Sequence, residues 1–224
     1  MNVGGIGAAQ LGRMLALAGY PLGHAFRFLD PAPDACAGQV APLITRPYDD
    51  PEGLSELASW ADVVTYEFEN VPATATDRLA GRVPLFPPPR ALEIAQDRLA
   101  EKTFFRRLGI PTADFAPVAS LTDLRDAVAS LGTPCILKTR RLGYDGKGQA
   151  VISAPDDLSS AWETLGAGDH ILEAFVPFDR ELSIVAARGR DGSIALYDLV
   201  QNHHRGGILR LSLAPAPDTT PALR

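Results

Sequence analysis

Short apolar runs that alternate with helical-period segments fill residues 1–90, and this alternation restricts what the chain can form. Strands separated by helices pair in parallel, because a parallel neighbour is reached only through a long crossover. Val3 to Ile6 reads as a clipped strand, and Leu11, Met14, Leu15 and Ala18 then recur at the spacing of one helix face. His24 to Asp30 reads as a second strand, Ala61 to Glu69 as a third and Val83 to Phe86 as a fourth. The expectation is an α/β, Rossmann-like parallel-sheet domain over residues 1–90.

Pro87-Pro88-Pro89 cannot sit inside a helix or a central strand, so it marks a domain boundary and opens a second unit at 91–224. Leu92, Ala95, Leu99 and Leu108 follow a helical period that stops at Gly109-Ile110-Pro111, with glycine at the C′ position. Thr122 to Leu131 and Asp156 to Leu165 read as helices, and Pro134 to Lys138 and His170 to Val176 as strands. Arg180 to Arg188 and Ser193 to Val200 flank Asp191-Gly192, a hairpin signal. This region is α+β, with its antiparallel part expected late.

With 224 residues the chain can bury a genuine core. Hydrophobic residues at 46% and charged residues at 21% argue against disorder, collagen and coiled coil. No apolar run approaches the roughly 18–20 residues of a membrane span, and the opening Met1-Asn2-Val3-Gly4-Gly5 lacks a basic-then-apolar leader. No membrane and a cytoplasmic location are expected. A net charge of −6 argues against a general nucleic-acid binder, which needs a basic face to displace counterions. Cys36 and Cys135 are too few and too far apart for a disulfide framework or a metal site, and read as inert thiols.

The richest segment is Ile136 to Gln149. Gly143, Gly146 and Gly148 give a backbone whose N–H groups can approach phosphate oxygens without Cβ obstruction, while Lys138 and Lys147 supply charge. The segment is not a Walker A loop, since Lys147 is followed by glycine. Taken alone it fits a phosphate cradle and a flexible hairpin turn about equally. The strand ending in Lys138 favours the cradle, because it fixes one cation where the loop folds back. Glu173 ends an apolar strand and Glu181 begins the next. Carboxylates there can accept from ribose hydroxyls, and the backbone of Ala174 to Val176 can read an adenine edge; without the glycine loop, solvated strand-end acids would be the better reading.

In the first domain, Gly5-Ile6-Gly7-Ala8-Ala9-Gln10-Leu11-Gly12 follows a strand and opens a helix. Gln10 stands at the third glycine position of a dinucleotide fingerprint, and Asp30 is the only acid at the second strand end, so the loop reads as an anion site and not as evidence for nicotinamide. Glu67 and Glu69 end the third strand, where open α/β sheets place ligands. His24 and His170 read as structural, and His203-His204-Arg205-Gly206-Gly207 as a polar turn. No metal site is predicted.

Several segments together resemble the ATP-grasp superfamily and, within it, the 5-(carboxyamino)imidazole ribonucleotide synthetase family of bacterial purine biosynthesis. They are Ala9 to Leu15, Thr65 to Val71, Gln96 to Leu99 with Lys102, Gly143 to Gln149, Glu181 to Ser183, and Gln201 to His204 with Gly207 to Arg210. Each is short, but their order and spacing are jointly specific. The resemblance implies a Rossmann-like pre-ATP-grasp domain followed by an incomplete ATP-grasp domain. It implies a carbon–nitrogen ligase that joins ATP, bicarbonate and aminoimidazole ribonucleotide through carboxyphosphate, with magnesium.

Carried over by position, Arg98 and Lys138 would contact ATP phosphates, and Gly143, Tyr144, Asp145, Gly146, Lys147, Gly148 and Gln149 would form a lid. Glu173, Ala174, Phe175 and Val176 would hold adenine, Glu181 would take the ribose, and His204 would complete the pocket. Glu67, Tyr144, Asp145 and Lys147 would meet the imidazole and bicarbonate, with a carboxylate as proton acceptor. The helix beginning at Gln10 and Leu11 would hold the ribonucleotide phosphate. Members of the family are commonly dimers through their first and last domains, so a homodimer is one assembly that the resemblance implies, and the truncation leaves the assembly open.

Two departures stand out. Ala8-Ala9 replace glycines usual in the opening loop, and the chain stops at Arg224 before the family's acidic magnesium ligands. The expectation is a truncated or partial copy that does not turn over alone. Another ATP-grasp ligase, such as a formate-dependent glycinamide ribonucleotide transformylase, and a non-catalytic nucleotide-binding module are the alternatives.

Overall fold

A computed structural model describes residues 1–143 and 147–220. They form two compact units, Met1–Ile110 and Pro111–Arg224, each described by itself.

The first unit runs β1 (Asn2–Ile6), α1 (Gln10–Gly19), β2 (Ala25–Asp30), β3 (Leu43–Thr45), α2 (Pro51–Trp60), β4 (Val63–Tyr66), α3 (Ala73–Leu79), α4 (Pro89–Ala95) and α5 (Arg98–Arg107). The strands lie in the order β3-β2-β1-β4, every pair parallel. Alternation along the strands sends Ile6, Leu29 and Val64 into one core with Leu54, Leu57 and Leu79, and Val3, Phe26 and Phe28 into another with Ala16 and Ala37. The Rossmann-like expectation is met.

Details differ. The apolar period over Leu11, Met14, Leu15 and Ala18 marks α1 but not its buried side: Gly12, Ala16 and Gly19 face inward. Leu11, Met14 and Leu17 are all more than half exposed, at 61%, 55% and 51%. The cause is the pair of large rings beneath. A Cβ at Gly12 would lie 3.2 Å from the Phe28 ring, and one at Gly19 would run into Phe26.

The fourth strand, Val83 to Phe86, reduces to an isolated parallel bridge between Val64 and Leu85. Val64 N–H donates to Pro84 O and Phe86 N–H to Val64 O, but Pro84 and Pro87 have no N–H with which to extend the ladder. The third strand stops at Tyr66, leaving Glu67 and Glu69 in the loop beyond it.

The helix after the prolines is two helices. Asp97, only 4% exposed, breaks it by accepting from Leu99 and Ala100 N–H as the N-cap of α5. Gly109 takes φ +76°, the left-handed C′ conformation expected there. Leu92 of α4 lies in the same core as Leu79 and Leu85, and the compact unit that holds it runs to Ile110.

The second unit runs β5 (Phe115–Val118), α6 (Leu121–Leu131), β6 (Cys135–Thr139), β7 (Gln149–Ile152), α7 (Leu158–Leu165), β8 (His170–Ala174), β9 (Glu181–Ser183), β10 (Ala186–Arg188), β11 (Ile194–Leu196), β12 (Val200–Arg205) and β13 (Ile208–Leu213). Antiparallel pairing is not confined to its end. The sheet β5-β8-β6-β7 is antiparallel throughout, followed by β13-β12-β9 and the β10–β11 hairpin around Asp191-Gly192. Leu124 and Val128 of α6 and Ala161 of α7 close the first sheet over Cys135, Leu137, Ile152 and Leu172. His203, His204 and Arg205 belong to β12 and not to a turn; the turn is Gly206-Gly207, with φ +61° and +76°. Among the described residues no helix is long and apolar enough to cross a membrane.

Candidate functional site

In the first unit the loop from β1 to α1 is held by two carboxylates. Asp30, 5% exposed at the end of β2, accepts from Ala8 N–H at 2.8 Å, Ala32 N–H at 2.9 Å and the Tyr48 hydroxyl at 3.0 Å. A carboxylate so occupied is a latch on the loop and is not presented to a ribose. Glu67, just past β4, accepts from Ala9 N–H at 2.8 Å. It thereby satisfies the main-chain donor of the N-cap residue and places a negative charge at the N-terminus of α1, whose cap, Ala9, makes no side-chain hydrogen bond.

Glu67 comes so close that only glycine fits opposite. Gly7 has φ +92°, and a Cβ there would stand 2.7 Å from Glu67 Cγ and 2.9 Å from Phe68 Cδ1. Gln10 and Leu11 open α1 as expected, and the Gln10 Oε1 lies 3.7 Å from Cys36 Sγ.

Tyr66, Glu67, Phe68 and Glu69 line a cleft of about 330 Å³ with residues of α4, where an open parallel sheet binds ligands. The Tyr66 hydroxyl has no hydrogen-bond partner among the described residues, and burial raises its pKa.

Burial, then the hydrogen bond and charge of Asp30 and the charge of Glu67, hold the Tyr48 phenol well above its ordinary 10.0. A raised folded-state pKa stabilises the fold fully below 10.0 and loses that contribution as pH climbs above it, since only the unfolded chain then releases the proton. Thermal melts between about pH 9 and pH 11 are expected to fall more steeply for the wild type than for Tyr48→Phe. Parallel slopes would show that Tyr48 carries no such linkage.

In the second unit β6 and β7 form a hairpin in which Lys138 pairs with Gln149 and Thr139 N–H donates to Gly148 O at 2.8 Å. Lys138 stands at the stem of this hairpin, and Gly143 and Gly148 lie in the chain that joins its two strands. Gly148 has φ +70°, and a Cβ there would meet Thr139 Oγ1 at 2.7 Å. Gly143, Lys147 and Gln149 are placed at the two arms of the tip; Tyr144, Asp145 and Gly146 lie outside the described residues.

Lys138 Nζ stands 2.9 Å from Glu173 Oε2, the two side chains being 23% and 8% exposed. The Glu173 carboxylate, expected at adenine, thus faces the lysine. Of the neighbouring backbone, Ala174 N–H donates to Asp114 O and Phe175 N–H to Pro134 O, while Val176 O accepts from Phe178 N–H.

Strands β9 and β12 bring Glu181 and His204 together, with Oε2 and Nδ1 2.7 Å apart. Asn202 shares their face: it donates to Ser183 Oγ and accepts from Ser212 Oγ, each at 2.9 Å. The sequence reading missed this polar ladder, although residues two apart in a strand share a face. Arg98 is the first residue of α5 in the other unit. Among the described residues no three His, Cys, Asp or Glu side chains converge as a metal site.

Residues 103–222 match the ATP-grasp domain model, and residues 1–96 match that of the ribonucleotide synthetase preATP-grasp domain. The chain belongs to the ATP-grasp family. More narrowly, it is 53% identical over 223 residues to the N5-carboxyaminoimidazole ribonucleotide synthase of Pseudomonas aeruginosa, covering 100% of this chain and 62% of that protein. The Brucella melitensis synthase is 48% identical over 218 residues, covering 96% of this chain and 60% of that protein. The solved synthetase of Thermus thermophilus superposes with a TM-score of 0.92 at 55% identity, covering 98% of this chain and 59% of that one. The Aspergillus clavatus synthase, solved with ADP and 5-aminoimidazole ribonucleotide, gives 0.88 at 27% identity, covering 99% and 58%.

Proposed function

We propose that this chain carries the nucleotide and ribonucleotide sites of an N5-carboxyaminoimidazole ribonucleotide synthase, a cytoplasmic ATP-grasp ligase of purine biosynthesis. The reaction carboxylates 5-aminoimidazole ribonucleotide with bicarbonate and releases ADP and phosphate. The observation that carries the reading is Lys138 at the stem of a glycine-lined hairpin, beside a buried carboxylate, in a unit that matches the ATP-grasp domain.

In this reading the γ-phosphoryl group of ATP passes to a bicarbonate oxygen. The resulting carboxyphosphate breaks to phosphate and CO₂, and the ribonucleotide amine attacks the CO₂ carbon and gives up a proton. Lys138 and Arg98 neutralise ATP phosphates. The hairpin tip, Gly143 to Gln149, excludes water from the short-lived anhydride. Ala174 to Val176 border the adenine, and Glu181 receives the ribose beside His204.

Glu67 is the proton acceptor from the amine, with Tyr144, Asp145 and Lys147 around imidazole and bicarbonate. The first backbone amides of α1, at Gln10 and Leu11, meet the ribonucleotide phosphate. Magnesium, which would help neutralise the ATP phosphates, belongs to the same proposal; among the described residues no three His, Cys, Asp or Glu side chains converge to hold it, and no step is routed through it. A homodimer belongs to the same proposal, supported by the apolar outer face of α1 at Met14, Leu15 and Leu17.

Titration calorimetry of the 224-residue chain with ATP and then with aminoimidazole ribonucleotide tests the reading. One site for each is expected. A preference for glycinamide ribonucleotide would move the assignment to a transformylase of the same superfamily, and no binding of ATP would overturn it.

A further inference from the structure

We propose that Glu173 is a positioning residue for the nucleotide phosphates, acting through Lys138, and that its carboxylate does not recognise the base. The inference rests on the nucleotide reading above and deepens it. Antiparallel register places Ile136 of β6 opposite Glu173 of β8, so Lys138, two residues along and on the same face, reaches the carboxylate diagonally. The contact is 2.9 Å, and the acid is the more buried partner, at 8% exposure against 23% for the lysine. A carboxylate that deep is held by its protein partners and not by water.

A lysine side chain is a flexible four-carbon stem carrying a compact charge with three donors. Left alone beside a glycine loop it samples many rotamers, and ordering it on ligand binding costs entropy. One donor fixed by Glu173 leaves the ammonium aligned along the strand at the base of the hairpin, with its remaining donors available to an anion. Protein kinases use the same physical device, a lysine held for the phosphates by a carboxylate from another element. The acid also dilutes the positive field, so its role is geometric.

Calorimetry on the full chain separates the two roles by comparing ATP with adenosine, which has the base and ribose but no phosphate. Glu173→Gln keeps the side chain's size and should weaken ATP about fivefold or more while leaving adenosine within about twofold. In a Lys138→Met background the same substitution should cost nothing further for ATP. Thermal melts of each variant confirm that the fold is retained, and Glu173→Asp replaces the glutamine variant if that protein is unfolded.

Equal loss of ATP and adenosine would place the carboxylate on the base and overturn the inference alone, as would unchanged or tighter ATP binding. Additive losses in the double variant would do the same. If the wild type binds adenosine and ATP equally, or binds neither, the nucleotide reading itself fails.

Discussion

Lys138→Met is expected to lower ATP affinity about 10- to 100-fold, the equivalent of one charge-assisted hydrogen bond worth about 1.5–3 kcal/mol. Methionine matches the length of the stem and keeps its packing on β6, so the loss isolates the ammonium. The same substitution removes the cation 2.9 Å from a carboxylate that is 8% exposed. Truncating one partner of a fully buried pair costs about 3–5 kcal/mol; with the lysine partly exposed, about 2 kcal/mol is expected here. Urea denaturation followed by Trp162, which packs against the core of the second unit, reads that cost if Trp60 of the first unit is replaced by phenylalanine. Unchanged ATP affinity with unchanged stability would remove Lys138 from the phosphate site.

Asp30→Ala is expected to be the most damaging single change in the first unit. The carboxylate accepts two main-chain N–H groups and the Tyr48 hydroxyl within 3.0 Å. Burying donors without acceptors costs about 1–3 kcal/mol each, and partial rescue by water at Ala32 brings the expected total to about 4 kcal/mol. Asp30→Asn keeps an acceptor and should cost about half as much. Urea denaturation of both variants followed by Trp60 checks the order. A cost below about 1 kcal/mol for the alanine variant would show that the loop holds itself. The loss also reaches the candidate site, because Ala8 and Ala9 are neighbours, one anchored by Asp30 at the end of β2 and the other by Glu67 in the loop after β4.

The parallel sheet was legible because β1, β2 and β4 are short apolar runs bounded by glycine, aspartate or helical periods, and crossover geometry then leaves one pairing sense. The β6–β7 hairpin was legible in part: Lys138 and the glycines were visible, but not that Gln149 starts a strand. Phe115 to Val118 escaped because Pro117 argues against a strand, and it sits on the sheet edge, where proline is tolerated. Local reading also could not see pairings across long stretches of chain. Lys138 with Glu173, Glu181 with His204, and Ala8 with Asp30 are separated by 35, 23 and 22 residues. They come together only through strand register. Sequence shows the charges of Glu67 and Asp30 but not the amides that face them, Ala9 N–H for the first and Ala8 and Ala32 N–H for the second.

The inward row of α1 is Gly12, Ala16 and Gly19, against Phe28 and Phe26. On this helix the usual division of labour is inverted: the smallest residues carry the fit, and the large aliphatic ones contribute little to it. Evolutionary drift at Met14 or Leu17 can therefore retune stickiness and solubility while the fold stays indifferent, whereas a single added methyl at Gly19 would wedge helix from sheet.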